Sequence, residues 1–122
     1  MDNKKSGVEG LEEKYQELLS MENIIWDLYL HTGADSTVIY SETLDNGDVI
    51  NHTKEMVIKA KINELHDKIV TFTYSSLTDN FGASNKELKK ISFYNSNARK
   101  ILSRISEITE RYFKEDANKF KL

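Results

Sequence analysis

The chain has 122 residues, with 17 Lys and Arg against 20 Asp and Glu, and it contains neither Cys nor Pro. That length suits one domain with its own core. The missing Cys excludes disulfides, thiolate metal sites and cysteine nucleophiles.

No run approaches the roughly 20 apolar residues that cross a bilayer. The opening Met1-Asp2-Asn3-Lys4-Lys5-Ser6-Gly7 has no apolar stretch behind its lysines, so it does not read as a signal peptide. The expected setting is cytoplasmic and off the membrane. Abundant Asn, Lys and Ile are typical of AT-rich genomes, which points to a low-GC bacterium or one of its phages or mobile elements. A flexible N-terminus over 1–7, one domain over 8–116 and a loose tail over 117–122 are expected.

The first periodic segment runs from about Val8 to about Leu30. Leu11, Tyr15, Leu18, Ile25 and Tyr29 form one stripe, with Glu22 in an otherwise apolar slot, and Leu19, Ile24 and Leu28 widen it. The alternating three and four spacing predicts an amphipathic helix, and Gly33 is a suitable cap beyond its end.

Ser36 to Thr43 is rich in β-branched residues, and Asn46-Gly47 precedes Val49-Ile50. Asn-Gly between such runs predicts a hairpin. A two-residue loop would set Leu44 opposite Val49 and place Val38, Tyr40, Leu44 and Val49 on one face, laid against the helices.

The third segment supports two readings. Ile58, Ile62, Leu65, Ile69 and Phe72 alternate spacings of four and three, which predicts a helix from about Thr53, a candidate cap, to about Val70. Ile69 to Tyr74 has strand character, and Met56, Ile58, Ala60 and Ile62 alternate with period two. The competing fold is therefore α+β with a three- or four-stranded antiparallel sheet.

Thr78 to Ala83 reads as a loop. Ser84-Asn85-Lys86-Glu87 matches a capping box. A long helix is then predicted over Asn85–Asp116. Its seam, Ile91, Tyr94, Ala98, Ile101, Ile105, Ile108 and Tyr112, keeps a three–four spacing over three heptads, with Leu88 and Leu102 widening it. Asn95-Ser96-Asn97 is its weakest patch and the place to expect a kink. The fold class is mainly α with a small β-hairpin: helix, hairpin, helix and long helix in a small bundle.

Chemistry leaves few traces. There is no Gly-rich phosphate loop, no Ser elbow and no His-Glu-x-x-His pair. His31, His52 and His66 follow no metal-ligand spacing. Glu64 or Asp67 would join His52 only if the hairpin folded back on the third segment. No enzyme, metal or cofactor is expected.

Charge is unevenly spread: residues 1–81 hold 7 Lys and Arg against 15 Asp and Glu, whereas 82–122 hold 10 against 5. The basic residues Lys86, Lys89, Lys90, Arg99, Lys100 and Arg104 would be the contacts of a nucleic-acid-binding regulator, or simply a flank that pairs with acids of the first helix.

The reading that fits best is a non-enzymatic protein-binding module: a small inhibitor, an immunity-type protein, an adaptor or a regulator. Trp26, Phe93, Tyr94, Ile101, Ile105, Ile108 and Tyr112 are its candidate interface residues, because aromatic and aliphatic anchors dominate interface energetics. The seam closes the bundle, docks a protein partner or pairs two copies as a homodimer.

Overall fold

The computed structural model describes residues 7–78 and 82–114, with side chains from residue 10 on. In chain order these form α1 (Gly7–His31), β1 (Val38–Thr43), β2 (Val49–Thr53), α2 (Lys54–Thr78), α3 (Asn85–Arg104) and α4 (Ser106–Tyr112). The mainly helical fold with one small hairpin is the predicted class. Apart from Gly7, which opens α1, the predicted tails lie outside the described residues, as do the end of the last helix at Asp116 and Asp79, Asn80 and Phe81 of the predicted loop.

The three long helices pack on one another, and α4 continues along α2. Their shared core is the set of stripes read from the sequence: Leu11, Leu18 and Ile25 of α1; Ile58, Ile62, Leu65, Ile69 and Phe72 of α2; Ile91, Ala98, Ile101, Ile105, Ile108 and Tyr112 of α3–α4. Leu102 is buried beside the seam, whereas Leu88 is exposed.

Helix α2 runs eight residues past its predicted end. The buried stripe continues through Phe72 to Ser76, and the Ser76 hydroxyl donates to Asn95 Oδ1 at 2.9 Å. The β-branched residues Val70, Thr71 and Thr73 are accommodated because packing of one face outweighs propensity. Thr53 caps the start, its hydroxyl accepting from the Met56 N–H at 3.3 Å.

The capping box at Ser84 and Glu87 forms in both directions. The Asn95-Ser96-Asn97 patch stays helical. The break falls instead at Ile105, with φ −93° and ψ 10°. There the Thr109 hydroxyl and the Thr109 N–H both reach the Ile105 carbonyl, at 3.1 and 2.9 Å, a back-bond that bends helices. The seam keeps its phase across the bend.

The hairpin departs from its expected register. Gly47, at φ 90°, ends a three-residue loop. The Gly47 N–H donates to Leu44 O at 2.9 Å and the Leu44 N–H to Asp48 O at 2.8 Å, the pattern of a turn followed by a glycine in the left-handed region. Val49 therefore faces Thr43, and Ile50 faces Glu42. The one-residue slip moves Val49 to the face opposite Tyr40 and Leu44. Val38, Tyr40, Leu44 and Val49 stand exposed rather than covered by the helices.

Candidate interaction surface

The bundle itself takes up most of the expected interface set. Ile101, Ile105 and Ile108 have no exposed surface and Tyr112 is buried, so these four serve the core. Trp26 is half-buried against the core and donates to Glu22 Oε2 at 3.1 Å. Tyr94 lies between Tyr15 and Phe93, each ring 5.5 Å from it; burial pushes its hydroxyl pKa up. Phe93, at 61% exposure, is the one candidate left largely in solvent.

The basic set divides in the same way. Lys86, Lys89, Lys90, Arg99 and Lys100 are exposed. Arg104 is engaged: its Nε donates to Glu22 Oε2 at 2.9 Å and its Nη2 to Glu22 Oε1. The Glu22 slot that interrupts the α1 stripe is buried and satisfied by this fork and by Trp26. Two more cations reach beyond their own helices. Lys68 binds Glu17 of α1 at 3.1 Å, and Arg111 binds Asp35 at 2.9 Å.

A polar cluster ties the hairpin base to the bundle. Lys54 is buried, and its ammonium donates to the carbonyls of Tyr29, Thr32 and Gly33 at 3.0, 2.6 and 2.9 Å. It thereby satisfies acceptors at the negative end of α1. Asp35 accepts from the Tyr112 hydroxyl at 2.7 Å and from Arg111 Nη2 at 2.9 Å. Nothing in the sequence announced Lys54, because its acceptors are backbone atoms 21 to 25 residues upstream.

The titration directions in this cluster all lead away from neutrality. The Tyr112 hydrogen bond, and then Arg111, hold the Asp35 carboxyl below its ordinary value. Burial, and then Asp35, push the Tyr112 hydroxyl up. The Tyr29 hydroxyl and Asp35 raise Arg111. Each group is held in its usual charge state, whereas a general acid or base needs a pKa moved toward the working pH.

His52 lies on the hairpin, its Nε2 3.0 Å from Glu42 Oε1 and its ring stacked on Tyr40 at 4.3 Å. His66 lies 3.8 Å from Asp67. Among the described residues no three His, Asp or Glu side chains gather as a metal site would require.

A groove of about 870 Å³ runs along the outer side of α3–α4. Ile91 and Leu102 form its apolar floor, and Leu77 and Leu88 stand at one end. Ser92, Ser96, Ser103 and Ser106 keep its walls low, and Arg99, Lys100 and Glu110 charge its rim. Leu77, at 68% exposure, ends an outward stripe of α2 that also holds Val70 and Tyr74. That stripe is legible in retrospect: positions 70, 74 and 77 repeat the helical spacing on the face opposite Ile69 and Phe72.

Compared with known proteins, the chain matches no family model, no curated protein and no solved structure.

Proposed function

We propose that the chain is a non-enzymatic protein-binding module of the inhibitor, immunity-type, adaptor or regulatory kind, working in the cytoplasm through the α3–α4 groove. The observation that carries this reading is the exposed pair Leu77 and Leu88 at the mouth of an apolar-floored groove. Exposed apolar surface rimmed by polar residues is how docking sites present themselves, and a groove of this shape suits a partner's amphipathic helix. The cluster around Asp35 is read as an anchor for the hairpin base, with Asp35 joined to Tyr112 and Arg111.

The test is a comparison of the wild type with Leu77→Asp/Leu88→Asp in affinity capture from cells that carry the protein. Both side chains already face water, so the variant should stay folded by circular dichroism and lose the specifically retained partner. Undiminished capture by a folded double variant rejects the groove.

Nucleic-acid binding is the second reading, carried by the exposed Lys86, Lys89, Lys90, Arg99 and Lys100. Phosphate contacts make affinity fall steeply with salt. Absence of DNA and RNA binding at low ionic strength removes it.

A further inference from the structure

We infer that the outer edge of β1 takes an extended, basic segment of another protein as an added strand. This inference does not rest on the groove. Among the described residues the sheet has two strands, so β1 has β2 on one side and no strand on the other. Natural edges are blunted by charged side chains, Pro, bulges or a covering element, and the register irregularity of β1 is confined to its start, between Val38 and Tyr40. Residues 38–53 contain no Lys, Arg or Pro. Apart from Ile39, every residue of β1 is exposed.

The register says which backbone groups are open. The Leu44 N–H to Asp48 O bond fixes the alternation of an antiparallel ladder. Counting back from it, Glu42 and Tyr40 turn their amides toward β2, and Thr43 and Ser41 turn theirs outward. The other edge is less suitable, because β2 passes directly into α2 at Lys54.

The edge is also held ready. The Lys54 N–H donates to Thr37 O at 2.7 Å and the Glu55 N–H to Asp35 O at 3.1 Å. The Lys54 ammonium and the Asp35–Tyr112 bond anchor the same base to the bundle. A strand fixed in this way loses little freedom when it pairs. Isolated hairpins are marginal in water, so a third strand also adds support that the helices do not give.

Charge selects the occupant. The hairpin carries Glu42, Asp45 and Asp48 and no lysine or arginine. Two copies paired antiparallel with Ser41 opposite Thr43 would set Glu42 against Glu42, and like charges across strands are destabilising. Glu42 shares a face with Tyr40, and Ser41 and Thr43 form the other, so an extended segment with Lys or Arg on the Glu42 face and β-branched residues on the Ser41–Thr43 face complements the edge.

The probe is a blocked eight-residue peptide alternating Val and Lys, followed by amide NMR of the whole chain. Saturable shifts should centre on Ser41 and Thr43, and their amide exchange should slow by about tenfold or more. The same peptide N-methylated at alternate residues on its pairing edge should not bind, and a Val–Glu peptide should not bind either. Glu42→Lys should weaken the Val–Lys peptide by about five- to tenfold. Equal binding of the N-methylated peptide would show attraction of charge alone and overturn strand addition. Shifts confined to the α3–α4 groove, no shifts at all, or Ser41 and Thr43 already protected by a concentration-dependent dimer would overturn it too.

Discussion

Arg104 of α3 reaches across to Glu22 of α1 and grips both carboxylate oxygens, with Nε 2.9 Å from Oε2. Glu22 is buried and Arg104 is partly in solvent, so the two ends of the pair are not equivalent. Losing the arginine leaves a buried carboxylate with, among the described residues, Trp26 as its remaining donor. Losing both charges leaves a site that apolar side chains can fill.

Arg104→Met is therefore expected to lower stability by about 1–3 kcal/mol. Glu22→Leu/Arg104→Leu should recover most of that loss, since well-packed apolar residues often replace a buried pair without cost. Urea midpoints of the two variants decide the matter. Equal stability of Arg104→Met and the wild type would show that the fork contributes nothing.

Lys54 invites a different substitution. Its ammonium satisfies three carbonyls at the end of α1, at 2.6 to 3.0 Å. Lys54→Met keeps the aliphatic stem and removes the donors, which should cost about 2–3 kcal/mol. Lys54→Arg should not rescue it, because a planar guanidinium fork cannot reproduce a compact three-donor point. Amide exchange should quicken first in the last turn of α1 and at the hairpin base. Uniform change across the chain would contradict a local anchor.

The parts of the fold that the sequence predicts well are those governed by one period. Ile91 to Tyr112 repeats three and four without a gap, and six of the seven seam residues are buried. Glu22 was visible as an irregularity in the α1 stripe, but its partner lies 82 residues away and has no local mark. The hairpin was foreseen and its face was not. Asn46-Gly47 fits either a two- or a three-residue loop, and the choice decides which residues of β2 share a face with Tyr40 and Leu44. At Ile69 to Tyr74 strand propensity competed with helical spacing, and packing of Ile69, Phe72 and Ser76 decided it. The candidate surface was the least legible, because the strongest apolar seam was needed inside. What remained for an outer surface was the weaker stripe of Val70, Tyr74 and Leu77.

Asp35 and Tyr112 give the hairpin anchor a pH window. The Asp35 carboxyl is held below its ordinary 3.8, so its contribution is present above that value and is lost as pH falls through the lowered one. The Tyr112 hydroxyl is held above its ordinary 10.0, so its contribution is full below that value and is lost as pH rises beyond it. The stability difference between the wild type and Tyr112→Phe should be about 1 kcal/mol across the middle of the range. It should shrink at both extremes, in acid as Asp35 protonates and in alkali as the unfolded tyrosine ionises. A difference that is flat from strong acid to strong alkali would show that the two groups do not act together.

The sharpest separation of inside from outside comes from two aspartates placed on different helices. Ile101 has no exposed surface and Leu77 is largely in water. Ile101→Asp buries a carboxylate among apolar side chains without a partner, which should cost more than about 3 kcal/mol and unfold the bundle. Leu77→Asp should change stability by no more than about 0.5 kcal/mol. Circular dichroism with light scattering reads both. If Ile101→Asp instead gives folded monomers from a wild-type dimer, the seam is an interface between copies, and the three-helix core assigned to one chain is wrong. If Leu77→Asp unfolds the protein, the groove mouth belongs to the core and cannot be the surface that meets a partner.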